Sequence, residues 1–563
     1  MKPSKDVSVP SAHVRYYHAW AAASFLVPLA LFLYYGGHPL WDEEAMYIEV
    51  PREMLASGDF LHPTLNFSPF LFKPPLFLWA NAASLALFGY SELAARFPNA
   101  LFAAGTVLTT FFIGARGGLR SGMFSAAVLA TSFGLVFHTS SMLADIPLMF
   151  FTATSAYFFL ETIDGRRGAV VGLYASLALA VMTKGFLGLV FPGVAFLGLI
   201  LLEKRWGDIK RFVSLPGAIV FLIITVPWHV AMELRNPGFL YNFIVNEQVM
   251  RFFNERFPPD YDNVTSPVFI AVTLAWMMPW AVFFFQGVAA GFRRGTDTTT
   301  RAALVWGLGG MFFLSLASSK MEYYSLPLFP AFALIIGGWW ARLVEDDRLD
   351  LASSAVIGAG VLALASLAGI IFGDRIVAEL TDGMWLSRSG PADTSATASL
   401  VFGILLAGSA ATLALLLRRS CDAAFGVFFA GALLMSVAAH GSLGIAEPFY
   451  SSAAEAKSLA GMMGPDDVLV LDGDKEYEYC ATFNYYTGKR AYILPNDGHP
   501  ILPVQFEEKD RFVLTGPEMT RLWASGGRVF FVTMRDPGVI QEISGLPRKR
   551  LSGGVKMVYL NSD

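Results

Sequence analysis

The chain has 563 residues, of which 55% are hydrophobic and 15% charged, and a formal net charge of −4. Ordinary soluble domains carry about 25% charged residues; the deficit here, spread over repeated apolar runs, excludes that class and marks a polytopic helical membrane protein. So small a net charge gives no footing for a nucleic-acid partner, and two cysteines, Cys421 and Cys480, make no disulfide framework.

The N-terminus is polar, with Lys2 and Lys5, and no small-residue cleavage site follows the first apolar run, so 19–35 reads as a retained span rather than a signal peptide. Runs of crossing length, about 17–25 residues, recur near 99–115, 121–138, 146–162, 168–183, 185–202, 213–231 and 266–288. They continue near 302–317, 325–343, 352–373, 397–417 and 423–444, which predicts 13 spans. A further apolar run at 74–90 is placed by charge. The basic loops Arg116/Arg120, Arg166/Arg167, Lys204–Arg211, Arg293/Arg294/Arg301 and Arg418/Arg419 all fall in the cytoplasm only if 74–90 does not cross. It is therefore expected as an interfacial helix opened by Pro74 and Pro75. Segments 36–98, 139–145, 232–265, 318–324, 374–396 and everything after 445 then share the outer side. From about 446 the composition changes. Val468–Leu471 and Arg528–Val532 read as short buried strands, flanked by the turns Asp472-Gly473-Asp474 and Ser525-Gly526-Gly527, with a helix over Pro517–Ala524. The predicted division is a membrane domain over 1–445 and a soluble α/β domain over 446–563.

The charged motifs gather on that outer side. Between 42 and 75 lie six carboxylates, Arg52 and Lys73, and charge beside a bilayer is costly enough to be kept mainly for chemistry or transport. Ala45–Met54 reads as an interfacial helix with one wet face, so Glu49 and Glu53 have plain solvation as their alternative. Asp42, Glu43 and Glu44 are adjacent carboxylates that repel one another unless a base role, a metal or a cationic substrate uses them. Lys73, fixed by two following prolines, is a compact point charge for a phosphate, or else a lysine snorkelling to ordinary headgroups. Asp145, in Leu143-Ala144-Asp145-Ile146-Pro147, sits at a span end as a functional carboxylate, a helix N-cap, or both. Lys184, in Thr183-Lys184-Gly185, occupies a hairpin too tight to be a solvated loop. Asn246–Phe253, with Arg251, is amphipathic and suited to lying on a membrane. Ser318-Ser319-Lys320 and Tyr323-Tyr324 add a cation and two phenols, although tyrosines also populate interfacial belts.

The order Glu43-Glu44-Ala45-x-Tyr47-x-Glu49-x-x-Arg52-Glu53-Met54-Leu55, Phe72-Lys73-Pro74-Pro75, Arg96-Phe97-Pro98, Leu143-x-Asp145-x-Pro147, Thr183-Lys184-Gly185 and Tyr324-x-Leu326-Pro327 resembles one family across nearly the whole chain. That family is the bacterial polyprenyl-phosphate-sugar glycosyltransferases related to the lipid A aminoarabinose transferase and protein O-mannosyltransferases. The resemblance implies a GT-C type fold and inverting transfer of a sugar from an undecaprenyl-phosphate donor to a cell-envelope acceptor: lipid A or lipopolysaccharide, another glycan, or protein. The implied setting is the periplasmic face of the bacterial inner membrane, among membrane lipids, with the chain acting as a monomer. It implies Lys73 as the donor-phosphate ligand, helped by Arg251, Tyr324 and Lys184. Asp145 and a first-loop acid, Glu43 or Asp42, would orient or deprotonate the acceptor, with Glu44 and Lys320 in support. The family's pattern of a zinc-binding glutamate before the lysine, and a histidine after the Asn-Glu pair, meets Phe72 and Gln248 here. No cofactor is therefore expected at that place, and a divalent cation at the acidic loop stays open. A flippase for an anionic lipid is the competing class, for which charges near the bilayer midplane are expected; a surface-polysaccharide ligase differs only in acceptor.

Overall fold

A computed structural model describes residues 11–257, 263–293, 295–345, 349–381, 391–441, 447, 450–473, 480–495, 512–534, 540, 543, 545–553 and 556–561. The domain boundary at 445/446, Arg294 and Asp474 lie outside them. Among the described residues nine helices are long and apolar enough to cross a membrane, and eleven spans result if each of two bent helix pairs counts as one. The expected 13 is reached only by adding Ala169–Lys184 and Leu187–Leu202, of 16 residues each, which at 1.5 Å per residue run about 24 Å, short of a hydrocarbon core of about 30 Å. Leu76–Phe88, the helix expected at the interface, has 13 residues and starts directly after Pro75. Cys421 is half-buried and Cys480 buried.

The bent pairs replace two runs that read as straight spans. Leu119–Ala130 and Phe133–Ser140 meet at 53°, and Ser266–Trp276 and Trp280–Gly291 at 103°. At the first break Thr131 and Ser132 turn their hydroxyls back onto helix carbonyls, which loosens a helix; at the second, Pro279 lacks the N–H that would continue it. Each break supplies what the other lacks. Phe133 N–H donates to the Met278 carbonyl at 3.0 Å, and Trp280 Nε1–H donates to Thr131 Oγ1 at 2.9 Å, so polar groups freed inside an apolar interior keep partners.

Near the N-terminal end of the chain, β1 (Thr64–Leu65) and β2 (Ser68–Pro69) form a small hairpin. The C-terminal region builds a mixed five-stranded sheet from β3 (Val468–Gly473), β4 (Ala491–Pro495), β5 (Val529–Thr533), β6 (Lys549–Gly553) and β7 (Met557–Leu560), in the order β4-β3-β5-β7-β6. β3 runs parallel to β4 and β5, whereas β7 is antiparallel to β5 and β6. The helix expected over 517–524 is Gly516–Trp523, opened by a Thr515/Glu518 capping box. Strand alternation divides the apolar residues between two cores. Val470, Val529 and Phe531 pack on Met519 and Trp523. Leu469, Leu471, Phe530 and Val532 join a core with Tyr47, Ile48, Met54 and Phe77 of the first loop.

That shared core overturns the expected wet face of the first-loop helix, Met46–Ser57. Glu49 and Glu53 are buried. Arg52 donates bidentately to Glu49 at 2.6 and 2.7 Å, and Glu53 accepts from Thr64 Oγ1 and, at 3.1 Å, from Phe67 N–H. The cause is cover on both sides: the helix lies between Leu76–Phe88 and the C-terminal helix Ala481–Thr487, so its charges are solvated by partners rather than by water.

Candidate active site

Two helix ends and the 3-10 segment Glu322–Leu328 deliver the first group of side chains. Asp145 is the first residue of Asp145–Ile163 and Lys184 the last of Ala169–Lys184, which stops at Gly185 with φ +72°. Lys184 Nζ donates to both Asp145 oxygens at 2.6 Å. The same ammonium lies 4.2 Å from the Tyr324 ring centroid and 5.5 Å from that of Tyr323. The N-cap alternative for Asp145 is not what forms: the carboxylate is engaged by Lys184. Lys184, expected to reach a headgroup, is thereby a buried counter-ion whose charge is shared between a carboxylate and two phenol faces.

The second group comes from the loops at the same helix ends. Glu247, buried on the π-helical turn Asn242–Met250, accepts from Arg256 Nε at 2.8 Å and pairs with Arg251 at 3.4 Å. Arg256 also lies 5.9 Å from the Phe72 ring. Lys73 stands half-buried within the field of Arg251, Lys184, Arg256 and Glu247. Burial, then Arg251 and Lys184, pushes its ammonium down to about 8. Among the described residues no carboxylate bonds Lys73. Among the described residues four cations face two carboxylates here, a grouping suited to a phosphate. Tyr323 lies in electrostatic range of Asp145, Arg251 and Tyr47, which ties the two groups to the first loop.

The acidic triplet separates into three environments. Asp42 is buried and accepts from Ser452 N–H (3.0 Å), Ser452 Oγ (2.8 Å), Thr482 Oγ1 (2.8 Å) and Lys556. Glu44 is buried against Arg96 and accepts from Trp41 N–H and Met142 N–H at 3.0 and 2.7 Å. Asp42 and Glu44 each therefore have several partners within the fold. Glu43 alone of the three is exposed, and its charge is felt by Tyr450. Ring contacts run from Tyr450 to Trp41 (5.8 Å), Phe137 (5.7 Å), His138 (5.1 Å) and Tyr323 (6.1 Å), so an aromatic track joins the surroundings of Glu43 to Lys184. Lys320, expected in support, is buried and donates to the Ala317 carbonyl, so it closes a turn.

Sequence reading missed Arg256 and the central place of Glu247. Their signal was present as two arginines four and nine residues beyond one glutamate. Gln248 packs against Gly185, where a Cβ would come within 3.0 Å of its amide.

Residues 18–243 match the family model described as dolichyl-phosphate-mannose-protein mannosyltransferase. The undecaprenyl phosphate-alpha-4-amino-4-deoxy-L-arabinose arabinosyl transferase of Edwardsiella ictaluri is 27% identical over 366 residues, 62% of this chain and 65% of that protein. Its counterpart from Shewanella sediminis is 28% identical over 363 residues with the same coverage. The crystal structure of ArnT from Cupriavidus metallidurans bound to undecaprenyl phosphate matches over 98% of both chains, with a TM-score of 0.81 at 22% identity. The chain is similar to these transferases in sequence over that segment and to the solved one in fold. The aligned segment spans about 65% of the length of the two curated relatives, whereas the likeness of fold to the solved transferase extends through the C-terminal sheet.

Proposed function

We propose that this protein transfers a sugar, with inversion, from an undecaprenyl-phosphate-linked donor to a cell-envelope acceptor on the periplasmic face of the inner membrane, lipid A being the first candidate. The observation that carries this reading is Lys73, a cation that no carboxylate bonds among the described residues and that stands in the field of Arg251, Lys184 and Arg256. An acceptor oxygen attacks the anomeric carbon as the bond to the phosphate oxygen breaks, and the electron pair leaves with that oxygen. The phosphodiester, with one negative charge, becomes a phosphomonoester approaching two. Cations already in place then stabilise the transition state more than the ground state. For a hydroxyl acceptor, Glu43 takes the proton, and Asp145 with Lys184 orients the reacting groups. A base matters little if the acceptor is itself a phosphate.

The same residues support a reaction without zinc at the family's metal position. Phe72 offers a ring to Arg256 and Gln248 an amide against Gly185, and neither supplies the carboxylate or imidazole that zinc prefers. A shared divalent cation in the acidic loop is equally disfavoured, since Asp42 and Glu44 are occupied by different partners.

The test is transfer by the reconstituted protein from an undecaprenyl-phosphate-linked aminoarabinose to lipid A. Wild type should turn over and Lys73→Ala should not; equal turnover would remove the assignment. Mass spectrometry of lipid-linked glycans accumulating in a deletion strain then identifies the sugar.

A further inference from the structure

The Asp42 carboxylate sits where three separate stretches of the C-terminal region converge on one side chain. Ser452 gives it two hydrogen bonds, Thr482 a third, and the Lys556 ammonium an ion pair; Lys556 also donates to Ser452 Oγ at 2.5 Å. The neighbouring backbone is tied as well, with Asp42 N–H donating to the Tyr450 carbonyl at 2.8 Å. Both charges are buried. A buried pair is a poor source of net stability compared with apolar packing, and the apolar core shared by the sheet and the first loop already joins these regions. What the pair adds is direction. The next residue along the chain is Glu43, the exposed acid.

We propose that Lys556 is a positioning residue for sugar transfer: by fixing Asp42 it sets the place of the Glu43 carboxylate relative to the acceptor. This rests on the reading of Glu43 as base. Lys556 touches no reacting atom, and its effect passes through one peptide unit. A displacement of about 1 Å at a reacting group costs on the order of 10²-fold in rate, which sets the expected size.

The experiment measures kcat with an acceptor that attacks through a hydroxyl, and donor affinity, in the full-length reconstituted protein for wild type, Lys556→Met, Lys556→Arg, Glu43→Gln and the double variant Glu43→Gln/Lys556→Met. Lys556→Met should lower kcat about 10²-fold and leave donor affinity unchanged. Lys556→Arg should recover part of the loss, and Lys556→Met should cost nothing further once Glu43 is glutamine. The same loss in both backgrounds, or wild-type kcat in Lys556→Met, would overturn the proposal. Full activity of Glu43→Gln would instead bring down the base reading, and with it any positioning through Glu43. Should Lys556→Met fail to accumulate in membranes, Thr482→Val, which removes one bond to Asp42 and keeps the ion pair, takes its place. The expected pattern is then smaller but the same, and equal loss with and without Glu43 again counts against the assignment.

Discussion

The protein holds two clusters of charge built from the same residue types, and they differ in how fully those charges are matched. Along the seam between the first loop and the C-terminal sheet, each buried acid has its own donors: Asp42 with Lys556, Glu44 with Arg96, Glu49 with Arg52. Among the described residues at the helix ends, Lys73, Lys184, Arg251 and Arg256 outnumber Asp145 and Glu247. A matched set is complete without a ligand, whereas a surplus of one sign is satisfied only when something of the opposite sign arrives. On the proposed function, the cation-rich cluster is the one that receives the donor, and the paired acids of the seam are not.

That contrast breaks first at Glu43. Glu43→Gln should lower kcat by about 10²–10⁴-fold with a hydroxyl acceptor, at unchanged donor affinity measured by direct binding; a small change would move the base elsewhere. Lys73→Ala should cost about 10²–10³-fold in transfer, the scale for loss of one donor to a developing charge, with normal accumulation in membranes. The seam should respond in the other currency. Arg52→Ala leaves Glu49 buried and unpaired, and should lower unfolding stability by about 3–5 kcal/mol while donor binding per folded molecule stays at the wild-type value. pH sharpens the difference. Lys73 is held below its usual range, so its cation is present below about 8 and lost above it. Donor affinity should therefore weaken as pH rises through about 8, and Lys73→Arg should flatten that dependence because a guanidinium keeps its proton. The smallest effect is expected at Gly185→Ala. With φ at +72° and Gln248 within 3.0 Å of a new Cβ, strain of about 1–3 kcal/mol should disturb the end of the helix that carries Lys184, read as a modest loss of kcat.

Much of this was legible because it is local. Twenty apolar residues in a row declare a span whatever surrounds them, and Lys73-Pro74-Pro75, Asp145-Ile146-Pro147 and Thr183-Lys184-Gly185 combine a charge with a residue that stops or starts a helix. The chain did not show where those spans bend, since Thr131-Ser132 and Met278-Pro279 matter only through each other. Nor did it show that Met46–Ser57 is buried on both sides. Its cover comes from Ala481–Thr487 and from strands some 420 to 510 positions further on, and no pattern within the helix reports a lid supplied from that distance. Asp42 and Glu43 illustrate the limit: adjacent and alike in sequence, the one is buried with Lys556, Ser452 and Thr482 and the other is exposed.

The common core of the sheet and the first loop also bears on how the molecule is made. Residues 36–98 leave the ribosome several hundred codons before β3, so Ile48, Met54 and Phe77 wait without their C-terminal apolar partners through most of synthesis. A chain cut short of residue 450 retains the membrane helices yet lacks what shapes the acidic turn. Maturation of that turn is thus a late, post-insertion event, and mutations that slow folding of the last hundred residues should leave inserted but inactive protein.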